Sequence, residues 1–320
     1  MAEPGRPEYA LVASSSYSGS TLLAMLLNGH PDIAAIGETS TARRETRMST
    51  FPCSCGLLMD RCPFWAEVED RMHRAGYADF RLANFELGFD PPRRTLGGRL
   101  LYGSLRMKVL ERMRDWIAAR LPAHRERMIA IGRRNREFAR AILEVTGAQV
   151  LVDTSKERMR ARDLRHWLGT EVRVIHLVRD PRGVVYSAVR RGRDGGDERA
   201  AAVRWAKVNA AILNATADLP PDRKLIVRYE ALCADPDAVL RRIVRFLDLD
   251  PTRFRPPAES SERPHVLGNR TRLIPVTEIR LDERWRSALS GDQLRRIDRV
   301  TRGTERRIAD AEGSGQTNRV

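Results

Sequence analysis

Tyr9-Ala-Leu-Val-Ala-Ser-Ser-Ser-Tyr-Ser-Gly-Ser-Thr-Leu-Leu-Ala-Met-Leu-Leu27 runs from an apolar stretch, through a turn crowded with serine and glycine, into leucines and a methionine at helical density. That succession reads as strand (Tyr9 to Ala13), tight loop, helix. Glycine lets a backbone approach an anion closely, and consecutive N–H groups at a helix N-terminus point towards it. Ser16-Tyr-Ser-Gly-Ser-Thr-Leu22 therefore has the make-up of a phosphate cradle, with the hydroxyls of Ser18, Ser20 and Thr21 as further donors. A nucleotide-triphosphatase loop would carry lysine where Ser20 stands, reaching the outer phosphates. An ATP-dependent small-molecule kinase of P-loop type is thus the alternative reading, not the first.

Downstream, strands and helices alternate. Ala148-Gln-Val-Leu-Val152 reads as a strand that ends in Asp-Thr-Ser-Lys156 and precedes an arginine-rich helix to Leu168. Val172 to Val178 is the next strand; Arg179-Asp-Pro-Arg-Gly183 turns it into a helix carrying Val184, Val185, Ala188 and Val189. A helix over about 198–217, a strand at Lys224 to Arg228 and a helix over about 236–247 follow. The alternation predicts βαβ units, an α/β fold with a mainly parallel central sheet. In such sheets ligands bind beyond the carboxyl ends of the strands. All three sharp motifs, the serine-rich turn, Asp-Thr-Ser-Lys156 and Arg179-Asp-Pro-Arg-Gly183, fall at such ends.

Residues 40–147 read as a helical insertion. It contains a Pro/Gly/Arg loop at 88–99, then Leu100, Leu101, Leu105, Val109, Met113, Trp116 and Ile117 at spacings near three and four, then a helix from Ile129 to Val145. The tail beyond residue 303 is polar and glycine-bearing and reads as frayed. The expectation is one domain over 1–303, with 304–320 a disordered tail.

Composition excludes several classes. The 320 residues hold 42% hydrophobic residues, 22 Gly and 17 Pro, which fits a globular chain and not a disordered or fibrous one. No run approaches the ~18–20 apolar residues of a membrane span, and the N-terminus lacks the basic and apolar regions of a secretory signal; the expected location is cytoplasmic. The net charge is +15. Lysine occurs only at 108, 156, 207 and 224, and arginine is spread along the whole chain without the clustering or motif of a nucleic-acid binder. No nucleic-acid partner is expected, but an anionic cosubstrate would be drawn to such a surface.

Arg179, at a strand end, offers a planar fork suited to phosphate, and Ser187 lies eight residues on along the following helix. The serine-rich loop after the first strand, taken with His176-Leu-Val-Arg-Asp-Pro-Arg-Gly-Val-Val-Tyr-Ser-Ala-Val-Arg-Arg191, resembles the PAPS-dependent sulfotransferase family. The likeness is nearest to the branch of carbohydrate and tyrosylprotein sulfotransferases with many bacterial members. It covers about residues 9–38 (the phosphosulfate loop and first βα unit) and 148–275 (the second phosphate-binding half).

The resemblance implies a P-loop-like, three-layer fold and sulfuryl transfer from 3′-phosphoadenosine 5′-phosphosulfate, with no metal required. It assigns the 5′-phosphosulfate to the loop Tyr17, Ser18, Gly19, Ser20, Thr21 and Leu22, and the 3′-phosphate to Arg179 and Ser187. Tyr229 corresponds to a tyrosine near the adenosine. Asn269, Arg270 and Arg272 belong to a late loop, His265-Val-Leu-Gly-Asn-Arg-Thr-Arg-Leu273, that closes over the 3′-phosphate. The family often has a basic residue where this chain has Tyr17. A donor-binding but inactive module is therefore a further alternative.

Lys156 can fill the gap, because lysine in the corresponding segment of relatives faces the bridging oxygen. Glu38 matches the glutamate that serves as base in the tyrosylprotein branch, a role that calls for burial in a semi-closed cleft. The expected acceptor is the hydroxyl of a small molecule, sugar or lipid. Residues 40–147 are expected to build its pocket, and Phe51, Phe64, Trp65 and Phe85 are its aromatic candidates, although core packing is the commoner role. Cys53, Cys55 and Cys62 cluster without a clear fourth ligand, His73 being only a guess, and read as buried thiols or a local redox pair, with metal binding as the alternative. His176 reads as a packed strand histidine, His265 as a polar contact and His30 as a turn residue.

Overall fold

The computed structural model describes residues 9–39, 51–89, 113–114, 116–118, 120–156, 160–168, 171–255, 264–274 and 279–316. Five strands, β1 (Tyr9–Ser14), β2 (Ile33–Gly37), β3 (Val150–Asp153), β4 (Val172–Val178) and β5 (Lys224–Arg228), form one sheet in the order β2-β3-β1-β4-β5. Every pair is parallel; Leu11, for example, sits opposite Asp153 on one side and Val174 on the other.

A parallel sheet must be covered on both faces, so its strands read as continuous apolar runs. All residues of β1 to β4 are buried. The period-2 pleat sends Tyr9, Leu11 and Ala13 to one core and Ala10 and Val12 to the other. The first core is completed by α2 (Pro63–Arg74), α3 (Pro122–Thr146) and α4 (Arg160–Trp167). The second receives α1 (Ser20–Leu27) and α8 (Pro236–Phe246). Between β4 and α8 lie α5 (Pro181–Arg190), α6 (Glu198–Ala215) and the short α7 (Tyr229–Ala234). After α8 come α9 (Trp285–Ala288) and α10 (Gly291–Gln316).

Two expectations need correction. The helix expected from Ile129 starts a full two turns earlier, at Pro122, whose fixed φ suits the first helical position. The tail expected to fray beyond 303 is helical to Gln316. Ile297 and Ile308 are buried against α5 and α6, and Arg228 holds Glu312. Polar composition hid this element because only a narrow stripe of it is apolar. Residues 317–320 and 90–99, with most of the 100–117 pattern, lie outside the described residues. Trp65 and Phe85 are fully buried beside Phe80 and Phe138, so they are core and not pocket lining.

Candidate active site

The turn between β1 and α1 is built for close approach. Tyr17 and Gly19 both take left-handed conformations, with φ of 67° and 88°. At Gly19 an added Cβ would lie 2.3 Å from Cδ2 of Tyr229, so the tyrosine ring rests on the bare glycine backbone. No side chain caps α1 at Gly19, and the N–H groups of its first turn keep the partial positive charge of a helix start. The Oγ atoms of Ser15 and Ser18 are 2.7 Å apart. Ser14 Oγ and Thr21 Oγ1 are buried with no hydrogen-bond partner among the described residues. Buried hydroxyls are normally paired, so two orphans at one turn mark a cradle suited to a polar, anionic ligand.

Arg179 follows β4 and reaches this turn. Its Nη1 donates to the Tyr17 carbonyl across 3.0 Å and its Nη2 to the Asp282 carbonyl across 3.1 Å, and its guanidinium lies 4.8 Å from the centre of the Tyr229 ring. The Asp282 carboxylate stands 3.8 Å away; the hydrogen bond from Arg284, with Arg179 adding to it, holds that carboxyl down to about 2. Ser187 Oγ donates to the Gly183 carbonyl across 2.8 Å. Gly183 packs against the Arg179 guanidinium, so arginine and serine flank one glycine of the helix that joins them. Burial pushes the Tyr229 phenol up, and its role here is as an apolar ring face.

On the other flank, Glu38 follows β2 and Lys156 follows β3, and Lys156 Nζ donates to Glu38 Oε1. The contact is held from behind. Thr39 Oγ1 and Ser155 Oγ are 2.7 Å apart, and the Ser155 N–H donates to Asp153 Oδ1 across 2.8 Å. Asp153 in turn accepts from Arg160 Nε at 2.6 Å and Tyr9 OH at 2.7 Å, while Arg160 Nη2 also donates to Asn135 and Thr39. Sequence reading missed this buried Arg160–Asp153 pair; its one visible signal was an aspartate ending an apolar strand.

The late loop is joined to the same edge. The Leu267 N–H donates to the Ile36 carbonyl at 2.7 Å and the Glu38 N–H to the Leu267 carbonyl at 3.2 Å. At Gly37, with φ of 80°, a Cβ would meet Leu267 O at 1.9 Å, so only glycine admits this approach. Asn269 caps the following turn, accepting from Thr271 N at 2.8 Å. Arg270 is exposed. Arg272 is buried and turned into its own loop, donating to the carbonyls of Gly268, Asn269 and Pro52. In this arrangement it braces the loop; a place on the 3′-phosphate is not what its contacts serve.

The histidines divide. Nε2 of His176 lies 2.9 Å from Asn209 Oδ1, and burial holds the ring down to about 4, as a packed strand histidine. His73 contacts the Phe80 carbonyl, away from the cysteines. His265, expected as a simple polar contact, instead meets Cys53 and Cys62.

Residues 97–253 match the model of the sulfotransferase family. Among solved structures, the chain is similar to the sulfotransferase domain from the Synechococcus PCC 7002 olefin synthase, at 22% identity and a TM-score of 0.50, over 93% of this chain and 96% of that one. It is also similar to the sulfotransferase domain from the curacin biosynthetic pathway, at 18% identity and a TM-score of 0.49, over 92% and 97% of the two chains. No curated protein matches the chain.

Proposed function

We propose that this chain, whose residues 97–253 match the model of the sulfotransferase family, transfers a sulfuryl group from 3′-phosphoadenosine 5′-phosphosulfate to a hydroxyl of a small-molecule, carbohydrate or lipid acceptor. The observation that carries the reading is the bond from Arg179 to Tyr17. It joins two anion-binding elements at the ends of adjacent strands, β1 and β4. One such element would suit any phosphate. Two, with an aromatic face between them, suit an adenylate charged at both ends.

Sheet order sets the candidate residues in a line. Glu38, Lys156, the serine-rich turn, Arg179 and Tyr229 follow β2, β3, β1, β4 and β5 in that spatial order. At about 4.8 Å between strands the line is roughly 19 Å long. The N–H groups and hydroxyls of Ser18, Gly19, Ser20 and Thr21, with the turn's flanking Tyr17 and Leu22, would hold the phosphosulfate. Arg179 and Ser187 would hold the 3′-phosphate, Tyr229 would pack on the adenosine, and Asn269 and Arg270 would close over it. The donor supplies an activated sulfuryl group.

Glu38 would take the proton of the acceptor hydroxyl as its oxygen attacks sulfur in line. The new S–O bond forms while the bond from sulfur to the phosphate oxygen breaks, and adenosine 3′,5′-bisphosphate leaves. Lys156 is the cation on hand for charge that builds on that oxygen, taking the part the tyrosine at 17 cannot play. Preorganised donors of this kind are worth about 2.7–4 kcal/mol each when removed.

The test is a thermal-shift titration with adenosine 3′,5′-bisphosphate beside ATP with magnesium, followed by assay with labelled donor over alcohol, phenol and sugar acceptors. A ligand bound only by the native state must raise the melting temperature. Stabilisation by the bisphosphate and labelled product are expected. Stabilisation by ATP with magnesium alone would transfer the chain to the kinases, and binding without turnover on any acceptor would leave a donor-binding module.

A further inference from the structure

Three cysteines and a histidine from opposite ends of the chain converge outside the candidate active site. The ligand atoms of Cys53, Cys55, Cys62 and His265 all lie within 4.8 Å of one another. Cys53 Sγ is 3.4 Å and Cys62 Sγ 3.3 Å from His265 Nδ1, and the sulfurs of Cys55 and Cys62 are 3.7 Å apart. Bond lengths of about 2.3 Å to sulfur and 2.0–2.1 Å to nitrogen put tetrahedral ligands roughly 3.8 Å apart for two sulfurs and roughly 3.5 Å for sulfur and nitrogen. Three of the six separations, at 3.3, 3.4 and 3.7 Å, lie close to those edges. A disulfide would bring two sulfurs to about 2.05 Å. We propose that Cys53, Cys55, Cys62 and His265 form a closed, structural zinc site.

The local backbone is shaped for it. The Cys53 N–H donates to the Leu57 carbonyl at 2.7 Å and the Gly56 N–H to the Cys53 carbonyl at 3.0 Å, folding Cys53 and Cys55 into one tight turn with Gly56 at a φ of 100°. Cys62 is the N-cap residue of α2, so the helix start fixes the direction of its side chain. Ser54, between two of the ligands, accepts from the Val266 N–H at 2.7 Å and donates to the Pro264 carbonyl, gripping the chain on both sides of His265. The imidazole is stacked on Phe64 at 4.2 Å between ring centres.

Three thiolates and an imidazole select zinc among common cations. With four protein ligands no position is left for water, and the role is structural. Binding releases the three thiol protons to solvent and takes the neutral ring through Nδ1. The ion would staple the turn at 53–62 to the segment that runs from His265 onto the end of β2, where Gly268 lies against Glu38 and Thr21. It would fix the site without touching the chemistry.

The full chain, produced with zinc present and purified under reduction without chelator, should carry about one zinc per chain by elemental analysis. Replacement by cobalt should give intense visible bands of a tetrahedral thiolate site and near-ultraviolet charge transfer. Cys62→Ser and His265→Asn should each lose most of the metal. If Cys62→Ser fails to fold, the wild-type cobalt spectrum and His265→Asn still decide. Zinc well below stoichiometry with no cobalt bands would overturn the site. So would a mass two hydrogens short traced to Cys55 and Cys62, or undiminished zinc in both variants. None of these readouts requires sulfuryl transfer.

Discussion

Lys156 donates to Glu38 across the ends of two neighbouring strands, and the side chains are only 11% and 12% exposed. Their partnership puts a proton acceptor and a cation in contact where 118 residues separate them in the chain. Glu38→Gln should lower turnover by about 10²–10⁴-fold while leaving bisphosphate affinity near the parent value. Lys156→Met should also lower turnover. Either change alone strands a largely buried partner, so the double variant should be less destabilised than the two single losses added together, as a double-mutant cycle of urea midpoints would show. Full turnover in Glu38→Gln would remove the proposed base.

Arg179 is assigned to the phosphate that distinguishes the donor from simpler adenylates. A charge-assisted bond is worth about 1.5–3 kcal/mol, so Arg179→Lys should weaken adenosine 3′,5′-bisphosphate by at least about tenfold, because a point charge cannot reproduce the planar fork. Affinity for adenosine 5′-phosphate should change much less. Titration calorimetry with both ligands checks the contrast, and equal losses would place the guanidinium elsewhere.

Gly19 carries both a positive φ and the ring of Tyr229. In Gly19→Ala the left-handed conformation alone costs about 1–2 kcal/mol, and the methyl collides with the ring. The melting temperature and bisphosphate binding should both fall. Adding Tyr229→Ala should return part of the lost stability, and none of the binding, in the same thermal-shift assay.

Burial holds His176 down to about 4 from an ordinary 6.5. The unfolded chain therefore binds more protons between those values, and stability falls as pH drops from about 6.5 towards 4, at up to about 1.4 kcal/mol per unit. Urea midpoints measured across that window should slope for the wild type. In His176→Gln the slope should be shallower by this one group's share; an unchanged slope would locate the titration in other residues.

Much of the fold is legible from composition and period. A run such as Val172 to Val178 has nowhere to be but the middle of a covered parallel sheet, and glycine and serine at the first turn announce a close approach. Period and propensity are local, and they fail where packing takes over. The helix to Gln316 is one case, since its few apolar residues acquire meaning only against α5 and α6. Arg160 is another, because an arginine among arginines gives no sign that it will be buried against Asp153.

The order of side chains along the strand edge belongs to a different category. Motifs at the carboxyl ends of strands can be read one by one, which makes Lys156 and Arg179 legible as candidates, whereas Glu38 enters only through the family resemblance. Sequence order runs β1, β2, β3, whereas the sheet runs β2-β3-β1, and that permutation sets Lys156 between Glu38 and the serine-rich turn. His265 meets Cys62 across 203 residues by the same kind of closure. Residue chemistry and local spacing are written along a line; which distant groups share a volume depends on how covered strands and loops pack, and no short window of the chain contains that.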